Sequence, residues 1–276
     1  MSLNSAILTY HSQNIRGSDG RDNDHVALRE DLEALTNAGI RIVPLSRLVD
    51  QLEAGAGEAG PEPTVCLSFD DGCDFDVRDI EYPGHGLQRS FLGILRDFQK
   101  RHGRKAQPDL HASCFVIASE EARSAIDARS LFGLGWISHD WWHEAEATGL
   151  LAVENHGWDH NHPDLAPGDR ERGGFTNINT ASACRVQVEL AAEAIAERSG
   201  RRPEFFAYPF GESSAYIREQ YFPQFADRHG CRAALGTDPS HVTADSDRWN
   251  LPRYVCGRDW TTPEELLKLL GPAYSD

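Results

Sequence analysis

The alternation of strand-like and helix-like segments restricts the possible folds of this chain most strongly. Strands are predicted at residues 6–10, 41–45, 64–69, 111–119, 150–155, 205–210 and 232–237. Helices are predicted at residues 26–39, 46–55, 90–102, 138–149, 183–200 and 262–271. Repeated alternation of this kind is typical of an α/β protein whose parallel sheet is covered by helices. A closed or nearly closed barrel fits the pattern, and so does an open doubly wound sheet, because periodicity does not separate the two.

Length and charge limit the domain organisation and the partners. The chain has 276 residues, which is enough for two average domains, but single α/β barrels of this size are common. Because no linker separates two halves, we expect residues 1–276 to form one domain. The net charge of −16 argues against a nucleic-acid partner, which requires a basic patch. No apolar run approaches the ~18 residues of a membrane span, so no membrane partner is expected.

The cysteines and the first residues indicate a cellular location. The six cysteines are dispersed, at positions 66, 73, 114, 184, 231 and 256, with no pair at metal-thiolate spacing. Buried free thiols in a reducing compartment are therefore expected. The first residues contain no basic segment followed by an apolar stretch, so a secretory signal is not predicted. The expected location is the cytoplasm.

Two adjacent aspartates, Asp70 and Asp71, directly follow the predicted strand 64–69. The sequence Asp-Asp-Gly is also good turn chemistry, so by itself it does not distinguish a turn from a site. In parallel α/β folds, however, chemistry collects at the carboxyl ends of the strands. Other polar clusters follow other strands in the same way, namely His11, residues 156–162 and residues 209–212. This coincidence favours a functional site.

Three histidines, His156, His160 and His162, follow the predicted strand 150–155. An isolated histidine is more often a structural residue, but three within seven positions at a strand end favour a metal. Two histidines and one carboxylate with open positions are typical of a catalytic zinc or a non-haem iron site. The sequence therefore predicts a metal site near the two aspartates.

Three motifs in order resemble those of a known family. "SFDDG" at 68–72, "HGWDH" at 156–160 and "YPFG" at 208–211 are similar to motifs of the polysaccharide deacetylases, carbohydrate esterases of the NodB-homology type. The resemblance covers most of the chain. It favours a distorted (β/α) barrel with about seven parallel strands. It implies a hydrolase that removes an N-acetyl group from an amino sugar or a related amide with metal-activated water.

The resemblance also implies roles for particular residues. Asp70 corresponds to the general base, and Asp71, His156 and His160 correspond to the metal ligands. His162 is an alternative ligand, because it precedes a proline as the second family histidine often does. The implied cofactor is a divalent metal, with Zn²⁺ as the first choice and Co²⁺, Ni²⁺ or Fe²⁺ as alternatives.

The chain departs from the family pattern in two places. Ala207 stands where the third motif normally has an arginine, and Arg253 is a candidate to supply that charge from a later strand. The backbone N–H of Phe210 is a candidate donor to the oxyanion. The family's Leu-x-His motif near the C-terminus is not evident. A circularly permuted branch, similar to bacterial poly-N-acetylglucosamine deacetylases, has its acid histidine on an N-terminal strand, which makes His11 the expected general acid.

The substrate remains open at this level. An acetylated sugar or a small amide is expected, and the alternatives are a non-sugar amide, an O-acetyl ester, or a barrel that binds glycan or metal without turnover. Trp141, Trp142 and Trp158 are candidates for a sugar-stacking platform, although tryptophans in an amphipathic helix more often pack in the core. The polar segment 73–89 is predicted to be a loop at the wall of the cleft. The oligomeric state is not predicted.

Overall fold

A curled half-barrel sheet of nine strands, seven of them in one continuous and mostly parallel order, forms the centre of the computed structural model. The structure describes residues 3–54, 64–131 and 133–271. The strands are β1 (Asn4–Tyr10), β2 (Arg41–Ile42), β3 (Thr64–Phe69), β4 (Ile80–Tyr82), β5 (Gly86–Gln88), β6 (Ala112–Val116), β7 (Leu151–Asn155), β8 (Phe205–Ala207), β9 (Ala233–Leu235), β10 (Val242–Thr243) and β11 (Tyr254–Val255). The sheet order is β10-β1-β3-β6-β7-β8-β9, with β11 beside β1 and β2 beside β3. Only β10 runs antiparallel to its neighbour in this sheet. The predicted distorted (β/α) barrel is confirmed.

Helices cover the outer face of this sheet. They are α1 (Asp24–Asn37), α2 (Leu45–Ala54), α3 (Phe91–His102), α4 (Glu120–Ser130), α5 (Trp142–Ala147), α6 (Ala181–Cys184), α7 (Ala191–Ser199), α8 (Phe222–Gln224), α9 (Ala226–His229) and α10 (Pro263–Leu270). A π-helical stretch at Arg185–Leu190 joins α6 to α7, and another lies at Ile217–Tyr221. No helix among the described residues combines the length and apolar character that crossing a membrane requires.

The central strands are buried on both faces, as parallel strands covered by helices must be. Tyr10 and Phe69 pack toward the helices, where both rings contact Phe91 of α3. Ile7 and Cys66, which point to the opposite face of the same strands, belong to a second apolar cluster. This alternation follows from the two-residue period of a strand.

The pairing register brings the predicted strand ends together. Tyr10 of β1 lies opposite Phe69 of β3, and Val116 of β6 lies opposite Asn155 of β7. The residues that follow these strands therefore leave the sheet at one edge, which is where the polar clusters of the sequence are found.

Several predicted boundaries are wrong. Segment 73–89 is not a plain loop, because it contains a 3-10 turn at Asp74–Asp76 and the hairpin β4–β5. Helix α4 is not anticipated from the sequence, since only a few of its residues are apolar. The strand predicted at 205–210 ends at Ala207, and Pro209, which has no N–H for a ladder, begins a 3-10 turn. The helix predicted at 138–149 covers only 142–147.

The single domain over 1–276 stays a prediction. The connecting stretch 55–63 lies outside the described residues. All six cysteines are buried and free, which agrees with the expectation from their spacing.

Candidate active site

The turn after β3 separates the two aspartates. Asp70 continues the strand pairing, with its N–H donating to Tyr10 O at 3.2 Å. Asp71 takes a left-handed conformation with φ of 74°, and Gly72 follows with φ of 69°. A Cβ at Gly72 would lie 2.7 Å from Val116 Cγ1, so only glycine fits there. The turn therefore leaves Asp70 buried, while the side chain of Asp71 is 21% exposed.

Asp70 forms a two-pronged ion pair with Arg253, just before β11. The guanidinium nitrogens lie 2.8 and 2.9 Å from the two carboxylate oxygens, and Arg253 Nε donates to Gly236 O at 2.8 Å. Burial raises the pKa of Asp70, but the charge of Arg253 and the neighbouring imidazole of His156 outweigh it and hold that pKa below its ordinary value. The pair thus maintains a buried carboxylate in its ionised form.

Asp71, His156 and His160 form a cluster in which one ligand atom from each residue lies within 4.8 Å of the others. The Nε2 atoms of His156 and His160 are 3.5 and 3.4 Å from Asp71 Oδ1. His156 Nδ1 lies 2.9 Å from Ala207 O, and because a carbonyl only accepts, Nδ1 carries the proton and Nε2 keeps its lone pair. His162 lines the same cavity but is outside this cluster, with its Nδ1 accepting from Asp164 N at 3.3 Å.

The loop that carries the histidines is held by Asp159 and Gln187. Asp159 Oδ1 accepts from Asn161 N at 3.0 Å and from Gln187 Nε2 at 2.7 Å, and Gln187 Oε1 accepts from Trp158 N at 2.9 Å. Gln187 lies in the π-helical stretch Arg185–Leu190, and such π segments often occur at functional sites. Sequence reasoning missed Gln187, because a π segment has no distinct apolar period.

His11 lies beside the aspartates at the end of β1. Its backbone N–H donates to Asp24 Oδ2 at 2.8 Å, which fixes the end of the strand to the start of α1. Burial raises the pKa of Asp24 to about 6, although its hydrogen bond from His11 lowers it. Gln13 Nε2 donates to Asp71 Oδ2 in a short contact. Asp24 and Gln13 were not predicted, since neither belongs to a recognisable motif.

Left-handed backbone is concentrated at this site. The described non-glycine residues with positive φ are Asp71, His160, Asn161 and Phe210. Each costs of order 1–3 kcal/mol and persists only where the surroundings enforce it, which is a common property of functional sites. The ring of Phe210 packs edge-on against His160 with centroids 4.5 Å apart and remains 44% exposed.

These groups share one cavity of about 390 Å³, which is within the usual size range of small-molecule sites. Its described lining includes all the predicted site residues except Arg253, which lies behind Asp70: His11, Asp70, Asp71, His156, His160, His162 and Phe210. Trp141 and Trp142 are 1% and 0% exposed in the main core, so the core packing favoured for tryptophans in an amphipathic helix is found for them, and the alternative of a stacking platform is not. Trp158 is partly buried against that core and does not line the cavity.

Comparison with protein families gives one match. A family model described as polysaccharide deacetylase covers residues 57–222, more than half of the chain. The chain belongs to the polysaccharide deacetylase family. The resemblance seen in the three sequence motifs is therefore confirmed.

Solved structures of deacetylases have a similar fold. The Streptococcus pyogenes deacetylase PplD in complex with acetate is 16% identical, with a TM-score of 0.65 over 99% of this chain and 100% of that one. IcaB from Ammonifex degensii is 17% identical, with a TM-score of 0.63 over 98% and 97%. The de-N-acetylase from Aggregatibacter actinomycetemcomitans is 14% identical, with a TM-score of 0.63 over 96% and 99%. No curated protein sequence matches this chain.

The donor set of this polysaccharide deacetylase fits a divalent metal. One carboxylate and two neutral imidazoles are ligands that zinc accepts in catalytic sites. Bonds of about 2.0–2.2 Å to a tetrahedral ion would place two ligand atoms at roughly the observed Nε2–Oδ1 separations of 3.4 and 3.5 Å. Burial raises the pKa of Asp71, yet the adjacent imidazoles of His156 and His160 hold it well below its ordinary value, so the carboxylate is charged.

Proposed function

We propose that this member of the polysaccharide deacetylase family is a metal-dependent hydrolase that removes an N-acetyl group from an amino sugar or a related small amide. The observation that carries the proposal is the cluster of Asp71, His156 and His160 beside the ionised pair of Asp70 and Arg253. A metal-ligand set and a separate buried carboxylate in one cavity are what hydrolysis by activated water requires.

Asp71, His156 and His160 would hold the ion, most simply Zn²⁺, with Co²⁺, Ni²⁺ or Fe²⁺ as alternatives. Such an ion lowers the pKa of water and polarises a carbonyl. The tautomer of His156 supports this assignment, because the Nδ1 proton is directed to Ala207 O and the Nε2 atom faces Asp71 of the cluster.

Asp70 is the general base in this proposal. Its two oxygens already accept from Arg253, so the carboxylate is oriented as well as ionised, and its remaining lone pairs can accept the proton of water. Because Arg253 supplies this charge from beside β11, the alanine at position 207 does not leave the base without a partner.

His11 is the proposed general acid, and the backbone N–H of Phe210 the proposed oxyanion donor. His11 directly follows β1 and Asp70 directly follows the neighbouring strand β3, so both reach the same cavity although 59 positions separate them in the chain. A proton from His11 would go to the leaving nitrogen, which is a poor leaving group until it is protonated. Phe210 lies in a 3-10 turn with a left-handed φ of 61°, at the cavity wall.

Metal content and acetate release test the proposal. We expect Asp71→Ala, His156→Ala and His160→Ala to lose zinc in equilibrium dialysis, because three ligands leave no redundancy. His162→Ala is the matched control and should keep it, since His162 lies outside the cluster. Wild-type zinc content in His160→Ala, together with loss in His162→Ala, would transfer the ligand role to His162.

Turnover tests the second half of the proposal. Asp70→Asn should retain zinc and lose roughly 10²–10⁴-fold in acetate release, the usual contribution of a positioned general base. Near-normal acetate release by this variant would contradict the division of roles between the two aspartates. The cytoplasmic location stays a prediction.

A further inference from the structure

One wall of the active-site cavity is aliphatic and takes no part in the roles proposed above. It consists of Ile117, Ile126, Leu131 and Ile137, from the end of β6, from α4 and from the segment that follows α4. These side chains line the same cavity as the metal-ligand cluster. An aliphatic surface that faces a ligand favours an apolar group, because contact removes apolar area on both sides from water.

Buried polar groups fix this wall in place. The guanidinium of Arg123 in α4 is buried and donates to Ile117 O at 2.7 Å and to Ile137 O at 3.0 Å, so it ties two wall segments to one helix. Asp127, one turn later, accepts from Gly135 N at 2.8 Å. A wall held in this way is organised before a ligand binds, which reduces the entropy lost on binding.

Several polar groups of the lining are already bonded to protein partners. Gln13 is already bonded to a cluster carboxylate, and Ser130 Oγ donates to Asp164 at 2.8 Å. The guanidinium of Arg258 is paired with Asp259 at 2.7 Å. No tryptophan or tyrosine occurs among the described residues of the lining, where Phe210 is the aromatic residue besides the histidines.

Resting on the proposed function, we propose that the substrate of this enzyme carries an aliphatic chain next to its scissile amide, and that the Ile117–Ile126–Leu131–Ile137 wall holds this chain. The aliphatic chain belongs either to the amine or to the acyl group, where it would take the place of the acetyl methyl, and both have the same apolar chemistry. This inference assigns a substrate class that the motif residues do not specify.

Hydroxamates that bind zinc and differ only in their alkyl group test the inference. Calorimetric titration of the zinc-loaded protein would compare acetohydroxamate, heptanohydroxamate and N-hexylacetohydroxamate. We expect one of the two hexyl compounds to bind roughly tenfold or more tightly than acetohydroxamate, since a methylene in an apolar pocket is commonly worth that factor. Preference for heptanohydroxamate assigns the wall to the acyl side, and preference for the N-hexyl compound assigns it to the amine side. Equal affinity for all three overturns the inference.

Two leucines of one segment provide the matched variants. Leu131→Ser should reduce the preference for the hexyl compound, because Leu131 lines the cavity. Leu134→Ser should keep it, because Leu134 is 58% exposed and is outside the lining. If Leu131→Ser unfolds, Ile126→Val is the smaller truncation of the same wall and should reduce the preference less. A wild-type preference in folded Leu131→Ser and in Ile126→Val contradicts the role of the wall.

Acetate release from N-acetylglucosamine, measured on the same preparations, separates this inference from the proposed function. Acetate release without any preference for the hexyl compounds would support the hydrolase activity and refute the proposal that the substrate carries an aliphatic chain. A hexyl preference that depends on Leu131, without hydrolysis of any amide, would support the wall and refute the hydrolase.

Discussion

Replacing Arg253 with alanine removes the only described cation that contacts Asp70 directly. Arg253 is fully buried and Asp70 is 3% exposed, so the truncation leaves a largely buried carboxylate without its partner. Removing one partner of a buried ion pair typically destabilises a protein by about 3–5 kcal/mol. For a chain of this size, at roughly 2–4 °C per kcal/mol, the melting temperature should fall by about 6–20 °C.

The same change should alter the pH dependence of turnover. Burial favours the neutral form of Asp70, and Arg253 is the strongest of the groups that oppose it. Without Arg253 the pKa of Asp70 rises, so the base becomes protonated at a higher pH than in the wild type. The acidic limb of kcat/KM, measured as acetate release across the acid range, should therefore move to higher pH.

Arg201→Ala is a control for the loss of a partly buried pair away from the active site. Arg201 lies 2.7 Å from Glu154, whose side chain is 1% exposed, and neither residue lines the active-site cavity. This variant should be less stable than the wild type, but the acidic limb of its kcat/KM profile should lie at the same pH. An unchanged limb in a folded Arg253→Ala protein would refute the assignment of Arg253 as the partner that keeps the base ionised.

Two further predictions concern a proposed acid and a buried carboxyl in the core. His11→Ala should retain zinc and lose much more turnover on amides with poorly leaving amines than on activated acetyl esters, since only the former need a proton on the leaving group; equal losses on both would exclude the acid role. Burial raises the pKa of Asp31, which accepts from Tyr10 and Trp260, from 3.8 to about 7. Its stabilising contribution is present below 3.8 and is lost as pH rises through about 7, so Asp31→Asn should raise the melting temperature at about pH 8 and change it little at about pH 4. A gain of equal size at both pH values would contradict this account.

Motif residues were predictable because strand ends are visible in the sequence. The aspartates, the histidines and His11 each follow an apolar strand, and parallel pairing brings such ends to one edge. The tryptophans were not predictable in the same way. Trp141 and Trp142 occur in an amphipathic pattern that fits either a core or an exposed platform, and only packing places both in the core.

Helix α4 and the hairpin β4–β5 were missed for a related reason. Few residues of α4 are apolar, and the helix is stabilised by what surrounds it: Ser119 caps its first turn, and Arg123 binds carbonyls of two other segments. In the hairpin, Tyr82 packs on Phe75, from an adjacent part of the same segment. Tertiary contacts therefore override weak local patterns.

By itself, the sequence determined the alternation of strands and helices, the parallel sheet, the family, and the strand ends at which the site lies. All of these follow from the period of apolar residues and from short motifs. Only the tertiary structure decided that Arg253, 183 positions from Asp70, is the partner of that carboxylate, and that His160 rather than His162 joins the cluster. The tertiary structure also decided that the Ile117–Ile126–Leu131–Ile137 wall lines the same cavity as the metal-ligand cluster. The physical reason is that an ion pair, a ligand cluster or a cavity depends on distances between atoms of different elements, and these distances are set by how the strands and helices pack.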